Sequence, residues 1–145
     1  MGMLAKMTSS STPVKKASDD VLLLHGLLLM CSADGIIEGS EMATLEAFFN
    51  TLPEFDGKDF NELLAQANKV VARYGNLKES IKGLSEIQSE AVRRKCFVLA
   101  ADIAMSSGDV DEAEDRMLEA MQRILGIDDV LAQKILEVLT LKYAV

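Results

Sequence analysis

A chain of 145 residues is the length of one ordinary domain, long enough to bury roughly two-thirds of its unfolded surface in a single core. Hydrophobic residues make up 49% of it but aromatics only 5%, with eight Met and no Trp, so its core is Leu, Ala, Val and Met, suited to helices rather than a β-sandwich. A formal charge of −8 leaves no net basic surface to release phosphate counterions, which excludes nucleic acid and favours cations or basic proteins as partners.

Residues 1–17 mix Ser, Thr, Lys and Pro13 with little to bury and read as a mobile tail preceding a single domain over 18–145. They hold no apolar segment followed by a small-residue cleavage site, so a cytoplasmic location is expected. Ser18 and Asp19 offer a cap and an acidic first turn, and a first helix is predicted from there to about Ser32. Its run from Val21 to Cys31 is apolar almost all round but shorter than the ~20 residues that span a bilayer, so it is expected as a buried central helix. A turn follows, then a helix over about Glu38–Thr51 with Leu45, Phe48, Phe49 and Leu52 on its apolar face, ended by Pro53. Phe60, Leu63, Leu64, Ala67, Val70 and Val71 recur at spacings of three and four and predict a third helix over about Lys58–Arg73, stopped by Gly75.

The stretch from Asn76 to Ser85 reads as a loop or one short helix around Lys78–Lys82. The second half then repeats the order: a long helix over about Glu86–Ser106, a turn, a helix over about Asp111–Leu125 closed by Gly126, and a last helix from Asp128 to about Tyr143. No segment keeps a period of two. The fold class expected is all-α, six to seven helices in two pseudo-symmetric three-helix halves packed as one bundle, with an internal repeat over about 19–75 and 86–145.

The repeat is plainest at its turns. Ser32-Ala33-Asp34-Gly35-Ile36-Ile37-Glu38-Gly39-Ser40-Glu41 and Met105-Ser106-Ser107-Gly108-Asp109-Val110-Asp111-Glu112-Ala113-Glu114 are offset by 73 positions, and each enters a helix with a glutamate six residues after a glycine. Asp34, Glu38 and Glu41 in the first, with Asp109, Asp111, Glu112 and Glu114 in the second, supply only hard oxygen donors, which suit Ca²⁺ or Mg²⁺. An EF-hand half fits: with Gly35 as the loop glycine, Glu41 takes the closing position, but the first position falls on Met30, or on Ile103 in the second copy, and neither side chain offers an oxygen. Any metal must therefore be held by the back of each turn. The competing account needs no ligand: Asp111 followed three residues later by Glu114 is a capping box, and acids in a first helical turn are stabilised by the macrodipole at roughly 0.3–1 kcal/mol each.

The segments Ala33-Asp34-Gly35-Ile36-Ile37-Glu38-Gly39-Ser40-Glu41 and Gly108-Asp109-Val110-Asp111-Glu112-Ala113-Glu114, each after an apolar helix in an acidic chain of this length, resemble the TerB-like family, the tellurite-resistance protein B group. The resemblance runs from about Val21 to the C-terminus. It implies an all-helical fold of two pseudo-symmetric halves, acidic turns suspected of binding divalent metal, and a role in bacterial tellurite resistance or a broader stress response. Carried onto this chain, the family's aspartate before glycine is Asp34 and its helix-entry glutamates are Glu41 and Glu114. Ser107 stands where the second copy should carry the aspartate, with Asp109 and Asp111 nearby to compensate.

Elsewhere, Cys31 and Cys96 read as buried free thiols, and His25, the only histidine, as a hydrogen-bonded core residue. Asp102 is the odd charge in the second long helix and either takes a partner, such as His25 or an arginine, or sits at the rim of the helix contact; His25 with Asp102 would be an acid–base pair if the chain were an enzyme. Arg93-Arg94-Lys95 is expected as a solvated face that could answer the acidic turns of a neighbouring molecule in a homo-oligomer, and Met105, Met117 and Met121 as core or a soft docking surface. No nucleophile–base pair or glycine-rich phosphate loop appears, so the expectation is a non-catalytic protein with no organic cofactor, binding a divalent cation or other proteins. The alternative is a metal-independent helical interaction module.

Overall fold

Glycine in the middle of a buried, mostly aliphatic helix marks where this fold is tightest. The computed structural model describes residues 17–33, 39–106 and 108–145. Among them are six α-helices: α1 (Asp19–Cys31), α2 (Gly39–Thr51), α3 (Phe60–Tyr74), α4 (Glu90–Met105), α5 (Glu112–Leu125) and α6 (Asp129–Lys142), with 3₁₀ segments at Pro53–Phe55 and Glu79–Glu86. The predicted tail lies, but for Ala17, outside the described residues.

α1 carries no polar stripe because, past its acidic first turn, only Leu28 is partly exposed. Val21, Leu22, Leu23, Leu24, Leu27, Leu29 and Met30 are all fully buried, each contributing about 1.5–3 kcal/mol as an aliphatic side chain removed from water. α4 packs along it, its buried face built of small residues: Cys96, Ala100, Ala101 and Ala104 between Phe97, Leu99 and Ile103. Gly26 sets their approach, since a Cβ built there would lie 2.6 Å from the Cys96 sulfur. Both cysteines are buried and free, and burial pushes the Cys96 thiol up to about 12.

The other helices close around this pair in matching ways. α3 packs on α1 as α6 packs on α4, α2 follows α1 as α5 follows α4, and α2 reaches α4 as α5 reaches α1. The chain is thus an all-α bundle in which two helix triplets share a central pair. The Glu79–Glu86 segment packs against α1, α3 and α5. Phe49, half-buried on α2, stacks on Phe55 with centroids 5.1 Å apart and meets the edge of Phe60 at 5.0 Å, which fixes the α2–α3 corner. On α3 only Leu63, Ala67 and Val70 are buried; Phe60, Leu64 and Val71 flank them half-exposed.

Several boundaries differ from those expected, for reasons visible in the caps. The second long helix starts at Glu90, not Glu86, because Glu86 ends the 3₁₀ segment, Ile87 is extended, and Ser89 caps α4 by accepting from the Val92 N–H at 3.3 Å. Asp19, expected to serve its own helix, accepts from the backbone N–H groups of Gln88 at 2.8 Å and Ser89 at 3.0 Å. It thereby pins the start of α1 to the start of α4. The basic run is not a solvated face either. Arg93 donates to the carbonyls of Ile87 at 2.7 Å and Ser85 at 3.3 Å, and Lys95 pairs with Glu54 at 2.6 Å, leaving only Arg94 outward. Among the described residues no helix is long and apolar enough to cross a membrane.

Candidate functional site

The second acidic turn begins where α4 runs out. The Ser106 hydroxyl folds back to donate to the Ile103 carbonyl at 2.7 Å, and Gly108, at φ 93°, supplies the left-handed residue that reverses the chain. Asp109 and Val110 stand exposed, and Asp111, extended at φ −79° and ψ 174°, caps α5. Its carboxylate accepts from the Glu114 N–H at 2.8 Å, and Glu114 accepts in return from the Asp111 N–H at 3.1 Å. The capping box read from the sequence is therefore formed.

The two members of that box live in different surroundings. Asp111 is exposed, whereas Glu114 is only 4% exposed and packs beneath the turn. Glu112 and Asp115 add charge to the same first turn, where the helix macrodipole favours it, and Glu112 is paired with Arg116. Asp109, Asp111 and Glu114 thus belong to one turn, but Asp111 and Glu114 face each other's backbone.

The first acidic turn leaves α1 in a related way, with the Ser32 hydroxyl donating to the Leu28 carbonyl at 2.8 Å. Asp34 and Glu38 lie outside the described residues, as do the side chain of Glu41 and the whole of Ser107. Among the described residues, no three of His, Cys, Asp and Glu gather as metal ligands would. The donor chemistry of the second turn still suits a hard cation, since it is all carboxylate oxygen.

The isolated polar residues found partners that sequence alone did not indicate. His25, 1% exposed, lies with Nε2 3.0 Å from the Ser80 carbonyl; a carbonyl only accepts, so Nε2 carries the proton. Asp102, 6% exposed, takes neither His25 nor an arginine. It accepts from Lys142 at 2.8 and 3.0 Å and from the Tyr143 hydroxyl, which latches the end of α6 onto α4. That hydrogen bond holds the Lys142 ammonium above the usual lysine range, and burial reinforced by Asp102 raises the Tyr143 phenol. Since His25 and Asp102 are engaged separately, the acid–base pair considered from the sequence is not assembled. The partners Ser80, Lys142 and Tyr143 are 55, 40 and 41 residues away, beyond any local pattern.

Burial holds the His25 imidazole below its ordinary value of 6.5, and a pH dependence follows. As pH falls through 6.5 the unfolded chain takes up a proton that the folded chain refuses, so the unfolded state is favoured. The stabilisation is complete above that value and is lost on the way down to the folded-state value. Denaturant unfolding from pH 7.5 to 5.5 should show stability falling by at most about 1.4 kcal/mol per pH unit. His25→Gln, which keeps a donor for Ser80 but does not titrate there, should flatten the profile; an unchanged slope would assign it to other groups.

Comparison with known proteins bears on the whole bundle. No curated protein and no solved structure matches the chain. A profile of the family described as "Tellurite resistance protein TerB" matches residues 21–136, from the first buried residue of α1 into α6 and across both acidic turns. The match covers most of the chain, which therefore belongs to the TerB family.

Proposed function

We propose that this TerB-family protein acts in tellurite resistance or a wider bacterial stress response, in the cytoplasm, as a non-catalytic protein that binds a divalent cation through its acidic turns. The supporting observation is the equivalence of the two turns. Each leaves one of the two central helices, and each leads into a helix that also touches the other central helix. Asp34, Glu38 and Glu41 would supply one share of oxygen ligands and Asp109, Asp111 and Glu114 the other, with Ca²⁺ or Mg²⁺ as the fitting ions.

Glu114 is the residue on which the reading turns. Its carboxylate already accepts from the Asp111 N–H, and coordination would draw on that same group. Crystals of the full chain soaked in Ca²⁺ or Mn²⁺ test this. An ion ligated by carboxylates of both turns, Glu41 and Glu114 among them, is the expected result. An ion confined to one exposed acid, or none, would remove the basis for the cation.

The completed capping box favours a second reading, in which the acids only start helices and the bundle is a metal-independent interaction module for a basic protein. It predicts partner binding insensitive to chelator, and loss of stability rather than of binding when the box is broken.

A further inference from the structure

α6 presents an apolar stripe that no part of the described chain covers. Val130 is 67% exposed, Val138 64% and Leu141 77%, the three most exposed large aliphatics within any helix of the described residues. Val130, Lys134, Glu137 and Leu141 follow one another at spacings of four, three and four, the periodicity of a single face that seats on another helix. The opposite face, with Ala132 and Leu139 buried, holds α6 on the bundle. Lys134 and Glu137 are exposed, and neither takes an ion pair among the described residues.

We infer that this face of α6 pairs, antiparallel, with the same face of a second copy of the chain. The arrangement of charge selects that occupant. A two-fold axis crossing α6 between Ile135 and Leu136 sets Lys134 opposite the partner's Glu137 and Val130 opposite the partner's Leu141, and symmetry forms each contact twice. The stripe is therefore its own complement in charge. α6 is also neutral, with Asp129 and Glu137 against Lys134 and Lys142, in a chain of net charge −8. Two acidic molecules meet there with the least repulsion. Leu136 and Thr140 open on one side into a mostly apolar cavity of about 260 Å³ lined also by Phe97, Met105 and Leu118, with Asp115 and Glu119 on its wall, which widens the surface a partner helix can cover. A contact based on one helix about 20 Å long lies at the small end of stable interfaces, so the dimer is a weak one that grows with concentration.

Sedimentation equilibrium of the full chain in moderate salt tests the pairing through charge exchange. Wild type should dimerise reversibly, and Lys134→Glu and Glu137→Lys should each weaken dimerisation about tenfold or more, because each replaces both symmetric attractions by repulsions. The double variant K134E/E137K should recover it. The two single variants mixed together should form heterodimers, since each then supplies the charge the other lacks. Both positions are solvent-facing, and unchanged helical circular dichroism verifies the fold of each variant. A wild type that stays monomeric up to about 1 mM would overturn the proposal and leave the stripe to a partner of another kind. A dimer indifferent to both exchanges would place the contact on another face and overturn it equally. The outcome does not depend on whether the acidic turns bind a cation.

Discussion

Gly26→Ala is expected to destabilise the protein by about 1–2 kcal/mol, although alanine is favoured over glycine within a helix by about 1 kcal/mol. The reason is the crossing of α1 and α4. The added carbon would lie 2.6 Å from the Cys96 sulfur and 3.3 Å from Leu84 Cδ2, and the sulfur is fully buried with no solvent to turn into. Either the two central helices separate or Cys96 leaves its rotamer, and both disturb a core packed at crystal-like density. For a chain of this size each kcal/mol moves the melting temperature by about 2–4 °C, well within the reach of calorimetry. Cys96→Ala removes the obstructing atom, so the pair Gly26→Ala with Cys96→Ala should be more stable than the sum of the single changes. Simple additivity in that cycle would show that the contact does not limit the approach.

Asp111→Ala should cost about 1–2 kcal/mol, and Glu114→Gln should cost less. The asymmetry follows from what each side chain contributes. Asp111 supplies the oxygen that satisfies the Glu114 N–H at 2.8 Å, and alanine leaves that donor beneath the turn without its partner. Glutamine at 114 can still accept from the Asp111 N–H through its amide oxygen, so the box survives the loss of charge. Thermal or urea unfolding without divalent ions reads both effects. A large loss in Glu114→Gln would mean that the buried charge itself supports the fold.

The sequence made the helices legible because their caps and periodicities are local. Asp59, Ser89, Asp111 and Asp128 each accept from a backbone N–H at a helix start, and Gly75 and Gly126 end helices in the left-handed conformation. α1 was recognisable as central because a helix apolar on every side has nowhere else to go. Long-range pairing was not legible. Nothing around Asp19 marks it as the clamp on Gln88 and Ser89, and nothing around Asp102 points to Lys142 and Tyr143. Such pairs depend on how helices cross, which a pattern along one helix does not encode. The Glu79–Glu86 segment is legible only as one of two readings, since its glycine and alternating charge suit a loop as well as a short helix.

At the acidic turns the sequence specified half of the chemistry. It placed the box at Asp111 and Glu114, where the structure has it, and it named Asp34, Glu38, Glu41 and Asp109 as further oxygen donors without fixing where they point. Capping and cation binding use the same residue types at the same helix ends, so spacing alone does not separate them.

Isothermal titration of the full chain with Ca²⁺, Mg²⁺ and Mn²⁺, repeated on Glu114→Gln and Glu41→Gln, separates the two roles, because glutamine preserves the cap at 114 while removing the charge. The cation reading predicts binding tighter than about 1 mM by the wild type and clear weakening in both variants, with folding unaltered. No binding by the wild type, or the same affinity in all three proteins, would contradict it.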